Sequence, residues 1–175
     1  MTRTVTIVDE KNHALGTEDI IKAHTGNGAL HRAFSVYVFN AEKTSLLIQQ
    51  RSEKKMLWPG VWANTCCSHP LQGETALDAG KRRLTEELGF SCDLQEGPSF
   101  VYRAEDAPRG VEHEHVTILL GTAGNDLQVK PDPDEVAEWK WTTVSALLKE
   151  FGKHPDIYAP WLKIGLMEIL ASATI

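Results

Sequence analysis

The sequence predicts an α/β (α+β) sandwich, with helices packed on a mixed sheet in one compact domain over residues 1–175. Three observations carry this expectation. Apolar runs of strand length recur along the chain, at residues 33–40, 45–50 and 112–122. A capped helical segment, Ala76–Leu88, lies between the last two of these runs. No linker, repeat or low-complexity stretch divides the chain, and 175 residues can bury a core without disulfides or a structural metal.

In order, Thr4–Val8 reads as a first strand, and residues 18–23 as a short helix with acids in its first turn, where they complement the helix dipole. Residues 33–40 and 45–50 are β-type runs joined by Ala41-Glu-Lys-Thr44, which reads as a hairpin. Trp58-Pro-Gly-Val-Trp62 is a turn leading into a Cys/His segment. Thr75 and Asp78 cap the next helix, whose apolar face includes Leu77, Leu84 and Leu88, and Gly89 stops it. Residues 100–104, 112–122 and 139–142 read as further strands and 144–151 as a helix. A last helix starts with Pro160 at its first position and runs to about Ala171.

Composition narrows the function classes. The net charge of −6 argues against a nucleic-acid partner, while clusters at Arg51, Lys54 and Lys55 and at Lys81, Arg82 and Arg83 leave room for an anionic small molecule. No apolar run approaches the roughly 20 residues that span a bilayer, and residues 1–9 lack a signal-peptide core, so the expected location is the cytoplasm, away from membranes. Three cysteines, two of them adjacent, suit a reducing compartment better than a disulfide framework. Nothing in the sequence decides between a monomer and a homodimer.

The chemistry gathers in few residues. On a strand, Glu112 and Glu114 share one face and His113 and His115 the other. Two adjacent carboxylates repel, and a shared cation relieves that. His24, His31 and His69 add imidazoles, so the set suits a divalent metal: imidazole favours zinc, carboxylate favours magnesium or manganese. Cys66 and Cys67 alternate sides in an extended segment, so one of them can face such a site as a proton carrier. Trp161, beside Pro160, is core packing by default and otherwise a π-face for a developing cation.

The segments Leu30-His-Arg-Ala-Phe-Ser35, Trp58-Pro-Gly-Val-Trp62, Asn64-Thr-Cys-Cys-Ser-His-Pro70 and Glu112-His-Glu114 resemble type I isopentenyl-diphosphate isomerase, a Nudix-fold family, over most of the chain. The resemblance implies a Nudix-like α/β/α sandwich that interconverts isopentenyl and dimethylallyl diphosphate by protonation and deprotonation through a tertiary carbocation. It implies that Cys67 and Glu114 are catalytic, with Tyr102 beside the glutamate and Trp161 over the hydrocarbon. It implies that His24, His31, His69, Glu112 and Glu114 hold Mn2+, Mg2+ or Zn2+, and that Glu87 helps hold the Mg2+ carried in with the diphosphate. Arg51 and Lys55 match diphosphate-binding positions. The family's lysine shortly before the first histidine is missing: Ile20 and Ile21 stand there, and Lys22 is the nearest cation.

Glu74, Arg82, Leu84, Glu86, Glu87, Gly89 and Phe90 also fit the Nudix hydrolase box, but Ser68 replaces its leading glycine and Arg83 the glutamate after Arg82. Losing that carboxylate weighs against a diphosphate hydrolase. A purely structural zinc domain is the third reading, and the excess of Glu and His over Cys weighs against it.

Overall fold

The structure, a computed structural model, describes residues 3–124 and 126–172. The chain opens with β1 (Thr4–Val8) and β2 (Ala14–Asp19), followed by the single turn α1 (Ile20–Ala23). Next come β3 (His31–Asn40), β4 (Ser45–Arg51), the short β5 (Trp62–Ala63) and β6 (Cys66–Ser68), and α2 (Ala76–Leu88). The long strands β7 (Leu94–Asp106) and β8 (Gly110–Ala123) precede β9 (Val136–Thr143), α3 (Val144–Lys153) and α4 (Pro160–Ala171).

Strand β3 organises the sheet. One edge runs parallel to β8 from His31↔Glu114 to Asn40↔Ala123. Its other edge is shared in turn by β1 at His31, β6 at Phe34 to Val36, and β4 at Phe39. The sheet is therefore mixed, as expected. The predicted hairpin between β3 and β4 forms its turn, closed by Asn40 Oδ1 accepting from the N–H groups of Thr44 (2.9 Å) and Ser45 (2.8 Å). The strands then part after one pairing, and β4 lies between β9 and β5.

Being covered on both faces, β3 splits its side chains with period 2. Phe34, Val36 and Val38 pack with Leu84 and Leu88 of α2; Ala33, Tyr37 and Phe39 pack with Leu147, Leu162 and Leu166 of α3 and α4. Leu84 and Leu88 are fully buried, each stabilising by about 1.5–3 kcal/mol, and Leu84→Ala would cost about 2–5 kcal/mol. Helix α2 is capped as predicted: Thr75 Oγ1 accepts from the Asp78 N–H, and Gly89 takes the left-handed conformation at φ 70°. At Gly165 of α4 any Cβ would collide with the Tyr37 hydroxyl, whose O–H donates to the Trp161 carbonyl at 3.0 Å. That contact seats the start of α4 against β3.

One element differs from expectation. The helix predicted over residues 18–23 is confined to α1, because Glu18 and Asp19 are paired with Val5 and Thr4 of β1 and belong to β2. Asp19 instead caps the turn, accepting from the N–H groups of Ile21 and Lys22. Strand β2 escapes sequence reading because its residues are mostly exposed and show no apolar alternation. No helix among the described residues is long and apolar enough to cross a membrane.

Candidate active site

The face of the sheet beneath α4 carries the cluster. Glu114 is the register partner of His31, and Glu112 lies two residues earlier on the same side of β8. His24 ends α1, and its carbonyl accepts from the Val111 N–H at 2.9 Å, which ties it to β8. His69 follows β6, which β3 holds through Ser35↔Cys67. One ligand atom from each of His24, His31, His69, Glu112 and Glu114 lies within 4.8 Å of the others, and all five residues are buried.

The tautomers are set from behind. His24 Nδ1 donates to the Ile20 carbonyl and His31 Nδ1 to the Ala29 carbonyl, both at 2.7 Å. A carbonyl only accepts, so each neutral ring turns its Nε2 lone pair into the cluster. There His24 Nε2 lies 2.9 Å from Glu112, and His31 Nε2 lies 3.1 Å from His69 Nε2 and 3.6 Å from Glu114. Lone pairs and carboxylates aimed at one another repel, and a shared cation would relieve that. The donor set fits a divalent metal.

The electrostatics agree. Burial opposes a charge on His24, but the Glu112 hydrogen bond and charge outweigh it and raise the imidazole. Burial takes His69 down to about 4, despite Glu114. Burial, then the Glu114 charge, raises Glu112. Burial also opposes ionisation of Glu114, but its bonds to His31 and His69 hold it well below the usual carboxylate range.

Beside the cluster opens a cleft of about 210 Å3. Cys67, Tyr102, Glu114 and Trp161 all line it, so the thiol and the carboxylate expected to act together face one space. Cys66 points to the opposite core, with α2, so Cys67 is the sulfur that faces the cleft. Burial pushes the Cys67 thiol up to about 12, against the pull of Arg51 and Lys55. Arg51 is clamped by donating Nε to the Trp58 carbonyl at 3.0 Å and Nη2 to that of Leu57 at 2.8 Å. Its Nη1 lies 3.7 Å from Cys67 Sγ, and its guanidinium carbon 5.3 Å from the Trp161 ring centre. Trp161 meets Trp58 edge-on at 5.3 Å and Tyr102 at 6.1 Å. The cleft thus has an aromatic wall, a half-buried thiol and a buried carboxylate.

Lys55 also lines the cleft, hydrogen-bonded to Glu135. Burial opposes ionisation of Glu135, but Lys55 and Arg83 outweigh it and take its carboxyl down to about 2. Lys22, the cation nearest the missing family lysine, does not line the cleft; its ammonium is exposed, 3.9 Å from Glu18 at the end of β2. Its position on α1 turns it outward while Ile20 turns in. Glu87 stands apart from the five-residue cluster, accepting from Arg83 Nη2 at 2.5 Å and Gln49 Nε2 at 2.9 Å. Sequence reading did not single out Arg3 or Glu135; it named Ser68 only as a departure from the box, and Arg83 as another and as part of a basic cluster. A period-2 reading places Arg3 on the side of buried Val5; nothing in the sequence marks Glu135.

Fold and site together define a Nudix-domain protein: residues 29–162 match the NUDIX domain family. A Deinococcus radiodurans protein of known structure superposes with TM-score 0.69 at 18% identity, over 87% of this chain and 90% of that one. A MutT NUDIX hydrolase from Burkholderia pseudomallei superposes with TM-score 0.62 at 19% identity, over 80% and 98%. At such identities the likeness speaks for the fold alone. Within that class the chain belongs to the isopentenyl-diphosphate Delta-isomerase family. Curated relatives of that name are 41% identical in Halorhodospira halophila (91% of this chain, 90% of the relative) and 43% in Nocardia farcinica (90% and 89%).

Proposed function

We propose that this protein interconverts isopentenyl diphosphate and dimethylallyl diphosphate, moving a carbon–carbon double bond by one position. The relatives' shared name supports the substrate pair. The observation that carries the chemistry is that Cys67 and Glu114 line one cleft beside the Trp161 indole.

Protonating an unactivated alkene produces a tertiary carbocation, which water traps. The site must therefore supply an acid, a base and a dry, electron-rich wall. A thiol raised to about 12 keeps its proton at neutral pH, and a carboxyl held low is ionised. Cys67 then donates a proton to the terminal alkene carbon, and Glu114 removes one from the carbon nearer the diphosphate. In the reverse direction the two roles exchange. The proton gained by Glu114 returns to Cys67 through the cleft before the next turnover. The Trp161 face steadies the cation, a contact worth about 0.5–2 kcal/mol when desolvated, and Tyr102 orients Glu114.

His24, His31, His69, Glu112 and Glu114 would hold Mn2+, Mg2+ or Zn2+. When bound, that cation supplies the positive charge that neutralises the carboxylate pair and fixes the orientation of Glu114. Arg51 and Lys55 bind the diphosphate, anchoring the substrate so that its alkene is positioned between thiol and carboxylate. Glu87 assists the Mg2+ that accompanies the substrate; each of its oxygens accepts one hydrogen bond and keeps a lone pair. Free cysteines and the net charge of −6 support a reducing, cytoplasmic setting and a small-molecule substrate.

The hydrolase reading is weakened by the box itself. Arg83 stands where the box has a glutamate, so a cation, paired with Glu86 at 2.7 Å, replaces one metal-binding carboxylate. Purified protein with magnesium and isopentenyl diphosphate should yield dimethylallyl diphosphate without phosphate release. Phosphate release instead would establish the hydrolase.

A further inference from the structure

Four basic side chains line the cleft: Arg3, Arg51, Lys55 and Arg83. The protein itself engages three of them. Arg51 donates to two carbonyls, Lys55 is paired with Glu135, and Arg83 with Glu86, Glu87 and Glu135. Arg3 differs. It donates one side-chain hydrogen bond, from Nη2 to Ser68 Oγ at 2.7 Å, and among the described residues no carboxylate lies within ion-pair distance of it. Arg3 is exposed, yet partial desolvation and the like charges of Arg83 and Arg82 lower its pKa, with Glu135 and Glu86 offsetting them in part.

The placement comes from the backbone. Arg3 immediately precedes β1, and its carbonyl accepts from the N–H of Ile20, the first residue of α1, at 3.0 Å. Both residues line the cleft. Ile20 brings no charge, so Arg3 is the cation of this rim. Its hydroxyl partner Ser68 lies between Cys67 and His69 in sequence.

We propose that Arg3 is a substrate-binding residue, closing from the β1 side an anion site whose other walls are Arg51, Lys55 and Arg83, and that it grips the diphosphate. The proposal rests on reading the cleft as an isoprenoid diphosphate site. A guanidinium has five N–H donors in a planar fork matched to phosphate oxygens, and Arg3 commits few of them to protein. An anion placed between Arg3 and Arg83 turns their mutual repulsion into a shared attraction. The diphosphate is remote from the reacting carbons, so the contact acts mainly on binding.

The test uses metal-loaded protein and two readouts: turnover of isopentenyl diphosphate, and calorimetric binding of inorganic pyrophosphate with magnesium. Arg3→Ala is expected to raise KM and weaken pyrophosphate binding, each by roughly tenfold, with a smaller change in kcat. Adding Ile20→Lys to Arg3→Ala restores a cation to the same rim and recovers part of both losses, which a merely structural Arg3 would not allow. Arg3→Gln keeps a donor for Ser68 and removes the charge, so it gives the same answer if Arg3→Ala fails to fold. A KM and a pyrophosphate affinity within about twofold of wild type in either folded variant would overturn the role. If wild type does not isomerise the substrate while Arg3→Ala still weakens pyrophosphate binding, the isomerase reading falls and the anion role of Arg3 stands.

Discussion

Tyr102 and Glu114 are direct register partners on β7 and β8, and the Tyr102 hydroxyl donates to Glu114 Oε2 at 2.9 Å. The other carboxylate oxygen, Oε1, lies 2.9 Å from His69 Nε2. Glu114 is therefore held from two sides, by the phenol next to the cleft and by the metal-capable cluster behind it. Burial and the Glu114 charge raise the Tyr102 phenol well above its ordinary value, so it serves here as a donor, never as an anion.

From this, Tyr102→Phe should lower kcat by about 10–100-fold, the worth of one hydrogen bond to a charged group. Its bound metal should stay unchanged. Glu114→Gln should lose at least about 10³-fold and also lose metal, because one residue serves both functions. Steady-state kinetics with elemental analysis of each variant separates the two effects. A full rate in Tyr102→Phe would remove the phenol from the mechanism.

The two sulfurs are expected to part company. Cys67→Ala removes the proposed proton carrier and should lose about 10³-fold or more in kcat, with an unchanged circular dichroism spectrum. Cys66 packs against α2 in the other core, so Cys66→Ala should keep most activity and lose about 1 kcal/mol of stability from the void it leaves. Substantial turnover in Cys67→Ala would contradict the assignment.

The half-buried pairing of Glu135 with Lys55 and Arg83 has a pH signature. Its carboxyl is depressed from the ordinary 4.5 to about 2. A depressed carboxylate stabilises the fold above its ordinary pKa, and that stability disappears as pH falls from about 4.5 through about 2. Glu135 keeps 26% of its side chain exposed, so the contribution is discounted to about 1–2 kcal/mol. Urea unfolding at pH 6, 4 and 3 should show a shallower decline for Glu135→Gln than for wild type. Parallel declines would mean that the pairing adds nothing.

Much of this site was legible because it obeys period 2 and local turn chemistry. Glu112 and Glu114 share a face, Cys66 and Cys67 cannot, and Thr75 and Gly89 bracket α2 where expected. What escaped depends on contacts distant in sequence. Strand β2 exists because β1 pairs with it, not because of an apolar pattern of its own. Lys22 and Ile20 are two residues apart, and only the packing of a single helical turn against β1 decides which enters the cleft. Arg3 reaches Ser68 across 65 residues, and Glu135 reaches Lys55 across 80. Cys67 and Glu114 are also brought together by β3, the strand between β6 and β8, to which neither residue belongs.

Metal removal offers the sharpest test of the cluster. Without a cation, Glu112 and Glu114 face each other in a buried site, and burial and mutual repulsion raise Glu112. The Nε2 atoms of His31 and His69 meanwhile sit 3.1 Å apart. A metal bound to the folded chain alone adds stability by mass action, about 2.7 kcal/mol at a free concentration one hundred times its Kd. Protein purified without chelator should contain one such ion per chain, and chelation should lower both the melting temperature and the rate. In His31→Ala, which removes one ligand and leaves Cys67 and Tyr102 in place, chelator should shift the melting temperature far less than in wild type. An equal shift in the two proteins would place the stabilising ion elsewhere.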